Sequence, residues 1–355
     1  MPNAFLYCIL ALVNLIIMAT LKVYTQKEIL SFVNKRKGET KFGEKVTFIT
    51  TPTNYIEDIK NTTSKYVLFG IQEAIGIKAN KGITGAETTF NNTLKSLLNT
   101  QNNGFNKAKK ILVLGYLNCT AEMEMAKGLS NTNASDLQKL YSLVAKIDKE
   151  VTNIIHAIIT AGKIPIIIGG GHNNAYGNIK GSSLALNKAI NVINFDAHSD
   201  FRALEGRHSG NGFSYAMDEG FLRNYFIFGL HENYTSKKIY NLLNTHDCIA
   251  FNTFEAINVR RETTFSTEIK NAKQFLKGAP LGIEIDLDAV QNIASSAMTP
   301  SGFSVTKTRQ FVSFFAKNKK VVYLHICEGA SDLEIQNSNQ TGKLISYLIT
   351  DFMRG

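Results

Sequence analysis

From Val67 onward the chain alternates short, nearly unbroken apolar runs with longer stretches whose apolar positions recur at helical spacing. The runs YVLFG (66–70), ILVLG (111–115), IPIII (164–168), NVINFD (191–196), YFIFGL (225–230), CIAFN (248–252), LGIEIDLD (281–288) and VVYLHIC (321–327) have the length and the β-branched or aromatic content of buried strands. Within the polar stretch from Lys78 to Gly104, FNNTLKSLLN is helical in pattern. A capping-box signal at Ser135-Asp136-Leu137-Gln138 opens a longer helix with Leu140, Leu143, Val144, Ile147, Val151, Ile154, Ile155 and Ile158 on its apolar side, and Gly162 stops it. Strands that are apolar throughout belong to a parallel sheet covered on both faces. The pattern therefore predicts an α/β fold with a single wound parallel sheet and helices on both faces. No internal repeat or low-complexity linker marks a second domain, so residues 22–355 are expected to form one unit.

Residues 1–21 stand apart. From Ala4 to Leu21 only Asn14 and Thr20 interrupt the apolar run, and about 18 apolar residues just span a bilayer. No Lys or Arg precedes the run and no A-x-A site follows it, which argues against a secretory signal. Two readings stay open: an anchor, with Lys22, Lys27, Lys35, Arg36 and Lys37 keeping the domain on the cytoplasmic side, or a true start at Met18. Membrane contact is expected only on the first.

Composition narrows the class. Hydrophobic residues are 44% and charged residues 19% of the 355, a balance that supports a large core and excludes a disordered chain. The net charge of +10 comes from scattered Lys and Arg with only short clusters (35–37, 317–320), so nucleic acid is not an expected partner. It reads as solubility and a mild attraction for anionic small molecules. Cys8, Cys119, Cys248 and Cys327 are far apart, without a C-x-x-C pair, which fits a reducing, cytoplasmic setting.

In a wound sheet ligands bind where strands end at their carboxyl side, and four of the predicted strands end in ligand-type residues. IPIII runs into Gly169-Gly170-Gly171-His172, NVINF into Asp196-Ala197-His198-Ser199-Asp200, LGIEI into Asp286-Leu287-Asp288, and VVYLHIC into Glu328. In extended chain, D-x-H-x-D and D-x-D would each set their ligands on one side. His172, Asp196, His198, Asp200, Asp286 and Asp288 can hold two divalent cations about 3.5–4 Å apart. Oxygen and imidazole donors without thiolate suit manganese. Without cations, so many carboxylates would oppose one another's ionisation.

GGGHNNAYG, NFDAHSDFR and EIDLDAV resemble, in order and spacing, the three metal motifs of the arginase, agmatinase and formimidoylglutamase superfamily, from about Val67 to Glu328. The resemblance implies two Mn²⁺ ions, one held by His172, Asp196, Asp200 and Asp286, the other by Asp196, His198, Asp286 and Asp288. It also implies a homo-oligomer and a small amidine or guanidine substrate whose nitrogens meet Glu328. The ions would make hydroxide available near neutral pH, and Asp200 is the candidate for passing a proton to the leaving amine. Two departures are Glu284, where a small or neutral residue is usual, and Ala289-Val290-Gln291, which lacks an acid-Pro.

GGGHNNAYG is more similar to the formimidoylglutamase form of the first motif than to the arginase form. The segment Ser209-Gly210-Asn211-Gly212-Phe213 lacks the proton-shuttling histidine of arginases. A substrate tail with two carboxylates wants cations, which makes Arg202, Arg207 and His208, with Ser209 and Asn211, the expected substrate-binding loop. N-formimidoyl-L-glutamate, cleaved to L-glutamate and formamide, is the expected substrate. The alternatives are an arginase or agmatinase-like guanidine hydrolase using His208 as a displaced shuttle, and a catalytically silent metal-binding scaffold.

Overall fold

The computed structural model describes residues 21–334 and 338–355. The apolar segment lies outside the described residues except for Leu21, which belongs to the domain as the first residue of strand β1 (Leu21–Val23). The eight apolar runs all form strands: β3 (Tyr66–Ile71), β4 (Ile111–Leu117), β5 (Ile164–Ile168), β6 (Ile190–Phe195), β7 (Leu222–Leu230), β8 (Ile249–Thr253), β9 (Leu281–Asp286) and β10 (Val321–Cys327). With β1 and the two-residue β2 (Thr47–Phe48) they make one ten-stranded sheet in the order β1-β4-β3-β5-β10-β9-β6-β7-β8, β2 pairing with β4 at the β1 edge. Among the described residues every pairing within this sheet is parallel except β1 with β4. The two short edge strands carry too few residues to announce themselves by pattern.

Side chains alternate across the sheet and fill two apolar layers. Ile166, Ile168, Phe195, Ile285 and Ile326 face helices Thr89–Leu97, Val305–Phe315 and Gln340–Met353. Ile167, Val192, Ile227 and Tyr323 face helices Ala134–Thr160 and Ala175–Leu186. Each large apolar side chain buried in this way contributes about 1.5–3 kcal/mol. The long helix is capped two residues before the expected position. Asn133, not Ser135, is extended and accepts the Asp136 N–H, so Ser135 already lies inside the first turn. Among the described residues no helix is long and apolar enough to cross a membrane.

β5 and β6 are consecutive in the chain, yet β10 and β9 lie between them, so four strands that end in candidate ligands stand side by side at a switch point.

Candidate metal centre and pocket

After β5 the chain turns through Gly169 (φ +86°) and Gly170 (φ +72°), backbone conformations that a side chain would strain. This turn delivers His172, fully buried, to a one-turn 3-10 helix, His172–Asn174. Glu73, just past β3, fastens the loop. Its Oε1 accepts the Gly171 N–H (3.0 Å) and the side-chain amides of Asn173 (3.2 Å) and Asn174 (2.6 Å), while Oε2 accepts the Ile75 N–H (2.7 Å). Sequence reading missed Glu73. The usable signal was an acid at the carboxyl end of an apolar run, the same rule that selected the ligands.

The two aspartate motifs reach the centre by a different route from the expected alternation. β6 stops at Phe195, and Asp196 Oδ1 accepts the His198 N–H (2.7 Å); β9 stops at Asp286, whose Oδ1 accepts the Asp288 N–H (2.7 Å). Each leading aspartate thus folds the next ligand back with its own side chain, as Asx turns do. Asp200 arrives through a left-handed backbone, φ +43°, which strand geometry does not provide.

His172 Nδ1 lies 2.8 Å from Asp200 Oδ2, 3.0 Å from Asp286 Oδ2 and 3.3 Å from Asp196 Oδ2, and it forms a directed hydrogen bond with none. The ligand atoms of these four residues all fall within 4.8 Å of one another. A buried nitrogen without a hydrogen-bond partner amid three carboxylates is the arrangement a cation resolves, and the donor set fits manganese. The second proposed set is wider: His198 Nδ1 is 3.6 Å from Asp196 Oδ1 and 3.9 Å from Asp288 Oδ2. Ser296 (3.1 Å) and the Ala297 N–H (2.9 Å) steady Asp288.

Electrostatics agree. Burial, then Asp288 and Asp196, pushes the Asp286 carboxyl well above the usual range, and burial with Asp196 raises Asp200. Burial works on Asp196 in the same direction, but His172 and His198 outweigh it and hold that group low. Divalent cations in the cluster would remove the penalty on the ionised forms.

Above this floor opens a pocket of about 600 Å³ lined by His198, Asp200, Asp286, Asp288 and Glu328 below and by Lys81, Arg202, Glu205, Ser209, Tyr234 and Lys238 around the mouth. Glu328 sits in a left-handed conformation (φ +61°); its Oε1 accepts the His172 N–H (2.6 Å), and its Oε2 has no hydrogen-bond partner among the described residues. Burial, then Asp288, pushes its carboxyl up to about 8.

Of the expected substrate-binding loop, Arg202 and Ser209 line the pocket, while Arg207, His208 and Asn211 do not. The Arg207 guanidinium is turned inward onto Asp148 (2.9 Å), Asn211 Oδ1 (2.5 Å) and the Asn173 carbonyl (2.9 Å), between the rings of Tyr176 and Tyr215. Asn211 spends its amide on the Ala203 and Gly206 carbonyls. His208 is buried, with Nδ1 accepting the Gly210 N–H (3.1 Å) and Nε2 facing Glu205. Burial lowers its pKa to about 4, and the ring does not line the pocket. Phe213 packs edge-on against His172. Position in a loop near the site was legible from sequence. The direction in which each side chain turned was not.

Arg207→Ala is accordingly expected to act on stability. It leaves Asp148 buried without its counter-charge, a loss of about 3–5 kcal/mol, and should lower the melting temperature by many degrees with or without Mn²⁺. An unchanged melting temperature with a raised KM would return Arg207 to the substrate.

The model of the arginase family matches residues 97–354. The chain belongs to the arginase family. Among curated relatives, the formimidoylglutamase of Geobacillus thermodenitrificans is 26% identical over 213 residues, 58% of this chain and 64% of that protein, so the match spans less than two thirds of the relative's length. Solved structures share the fold. The formimidoylglutamase of Bacillus subtilis superposes with a TM-score of 0.71 at 17% identity, covering 90% of this chain and 93% of its own. The Trypanosoma cruzi formiminoglutamase with Mn²⁺ gives 0.67 at 17% identity, covering 88% and 97%. The arginase-family architecture expected from the motifs is thus the one found.

Proposed function

We propose that this chain is a binuclear manganese hydrolase of linear amidines that converts N-formimidoyl-L-glutamate and water to L-glutamate and formamide. The observation that carries the reading is the division of charge in the pocket. Its floor gathers the aspartates and Glu328, suited to two cations and a cationic amidine head. Its mouth carries Lys81, Arg202 and Lys238 against a single acid, Glu205, which is itself paired with Arg202 (3.0 Å). A tail with two carboxylates complements that mouth, whereas arginine brings an ammonium with its one carboxylate and agmatine brings an ammonium alone. The names of the matched relatives agree with this preference.

Manganese would supply an activated water at neutral pH. The residues do the rest. Glu328 Oε2, fixed by the bond from the His172 N–H to Oε1, receives the amidine nitrogens and orients the carbon toward the floor. Asp200, beside His172 and open to the pocket, passes the proton that the departing glutamate nitrogen needs. Asn80 bridges Arg202 (2.9 Å) and Ser209 (3.1 Å) and so stiffens the mouth.

Lys81 is held at φ +67°, just past helix Ile75–Ala79, where glycine would be unstrained. Its side chain lines the mouth and is expected to serve the tail. Lys81→Gln and Lys238→Gln should each raise KM for formimidoylglutamate by roughly tenfold or more, since a charge-assisted pair is worth about 1.5–3 kcal/mol, with manganese content unchanged. The test is product identification from formimidoylglutamate, arginine and agmatine with added Mn²⁺. Wild-type kcat/KM favouring arginine or agmatine would promote a guanidine hydrolase, and no turnover on any of them would promote the silent scaffold.

A further inference from the structure

Beneath the metal ligands lies a second, wholly buried polar layer that the reaction itself does not use. Counting inward along the central strands, Asp196, Asp286 and Cys327 form the level at the site, and one side-chain repeat below them Asn194 of β6, Glu284 of β9 and His325 of β10 stand abreast in register. One repeat deeper, Gly282 faces Tyr323; any Cβ on Gly282 would collide with the tyrosine ring, so the glycine makes room for it. Tyr323 then donates its hydroxyl to Glu284 Oε1 (2.8 Å), His325 Nδ1 meets Glu284 Oε2 (2.6 Å), and His325 Nε2 meets the Gly169 carbonyl (3.2 Å). A carboxylate in the core of a parallel sheet is costly, and this one is supported from both oxygens.

Glu284 Oε2 also lies 3.6 Å from His172 Nε2, on the opposite side of that ring from the Nδ1 that faces the carboxylates. His172 Nε2 is buried and makes no hydrogen bond among the described residues. Asn194 supports a ligand from the same layer, donating to Asp196 Oδ2 (2.8 Å). An imidazole that binds a metal through one nitrogen holds its tautomer and angle through the other, usually by donating to a carboxylate.

We propose that Glu284 is the positioning residue of the metal centre. It receives the Nε2–H of His172, fixes the tautomer that leaves Nδ1 free for the ion, and is itself oriented by Tyr323 and His325. This rests on the metal assignment above. It gives the unusual acid of the EIDLD motif a task and ties the Gly169 loop, through His325, to the strand that supplies Asp286.

The test measures manganese binding directly. Wild type, Glu284→Gln, Glu284→Ala and Tyr323→Phe are titrated with Mn²⁺, free ion being followed by electron paramagnetic resonance, and the metal-free proteins are melted in parallel. Glu284→Gln, which keeps the volume and loses the charge, is expected to weaken binding of one ion per chain by roughly 10–100-fold, leaving a mononuclear signal where wild type gives a coupled pair. Tyr323→Phe should produce a smaller loss in the same direction. If Glu284→Ala fails to fold, Glu284→Gln decides. Unaltered affinity in Glu284→Gln overturns the proposal whatever happens to the melting temperature, because a merely structural role would shift only the latter. Wild type that takes up no manganese would instead sink the metal assignment itself.

Discussion

Asp286→Asn should strip the chain of most bound manganese and of nearly all turnover. Asp286 is the last residue of β9, fully enclosed, with one oxygen holding the Asp288 N–H (2.7 Å) and the other 3.0 Å from His172 Nδ1, and it belongs to both proposed ligand sets. Asparagine preserves the shape and the turn-closing bond but removes the charge shared by two cations. The metal-free protein should respond in the opposite sense. The folded-state pKa of Asp286 is raised, so stability from this group is complete below its unfolded value and is lost as pH rises through the folded one. At neutral pH the ionised carboxylate is therefore a cost without metal, and asparagine relieves it. The expected result is an unchanged or higher melting temperature for the metal-free variant, with the upward shift on adding Mn²⁺ abolished. Asp196→Asn should behave alike in metal content and activity. Elemental analysis finding two ions per chain with near-normal turnover would refute the centre.

Glu328→Gln is expected to have the next largest effect, and through a different quantity. Oε1 is committed to the His172 N–H, and Oε2 is buried with no hydrogen-bond partner among the described residues, in a side chain that lines the pocket. Cations in the floor and the amidinium itself would draw this raised carboxyl into its ionised form, so the group is aimed by the protein and completed by the substrate. Glutamine fits the same space, but its amide presents a donor to one of two donors, the backbone N–H or the amidine, and the charge that matched the amidinium is gone. Losing charge-assisted bonds of about 1.5–3 kcal/mol each should reduce kcat/KM roughly 100- to 1000-fold. Manganese content should remain that of wild type, which separates this variant from Asp286→Asn. Steady-state kinetics beside metal analysis decide it, and a loss of metal equal to the loss of activity would make Glu328 part of the cation site.

Much of this protein was legible in its sequence because the relevant physics is local. Unbroken apolar runs of strand length cannot be soluble on either face, so β3 to β10 and a doubly covered sheet followed from pattern alone. The six ligand-type residues and Glu328 were found by their place at strand ends. What the pattern could not supply were contacts between segments far apart in the chain. The placing of β10 and β9 between β5 and β6 is a matter of sheet pairing, and it alone assembles His172, Asp196, Asp200 and Asp286 within 4.8 Å. Arg207 has the charge and loop position of a substrate cation, but Asp148, on a helix 59 residues earlier, claims it. Lys81 and Lys238 join Arg202 at one mouth although each comes from a different part of the chain. Glu284 seemed an oddity within its motif, and only the register of β9 against β10 gives it Tyr323 and His325 as supports. Burial of apolar side chains sets where strands and helices form. The partner of each buried charge is set by packing, because removing a charge from water is tolerable only where the fold has brought its counterpart.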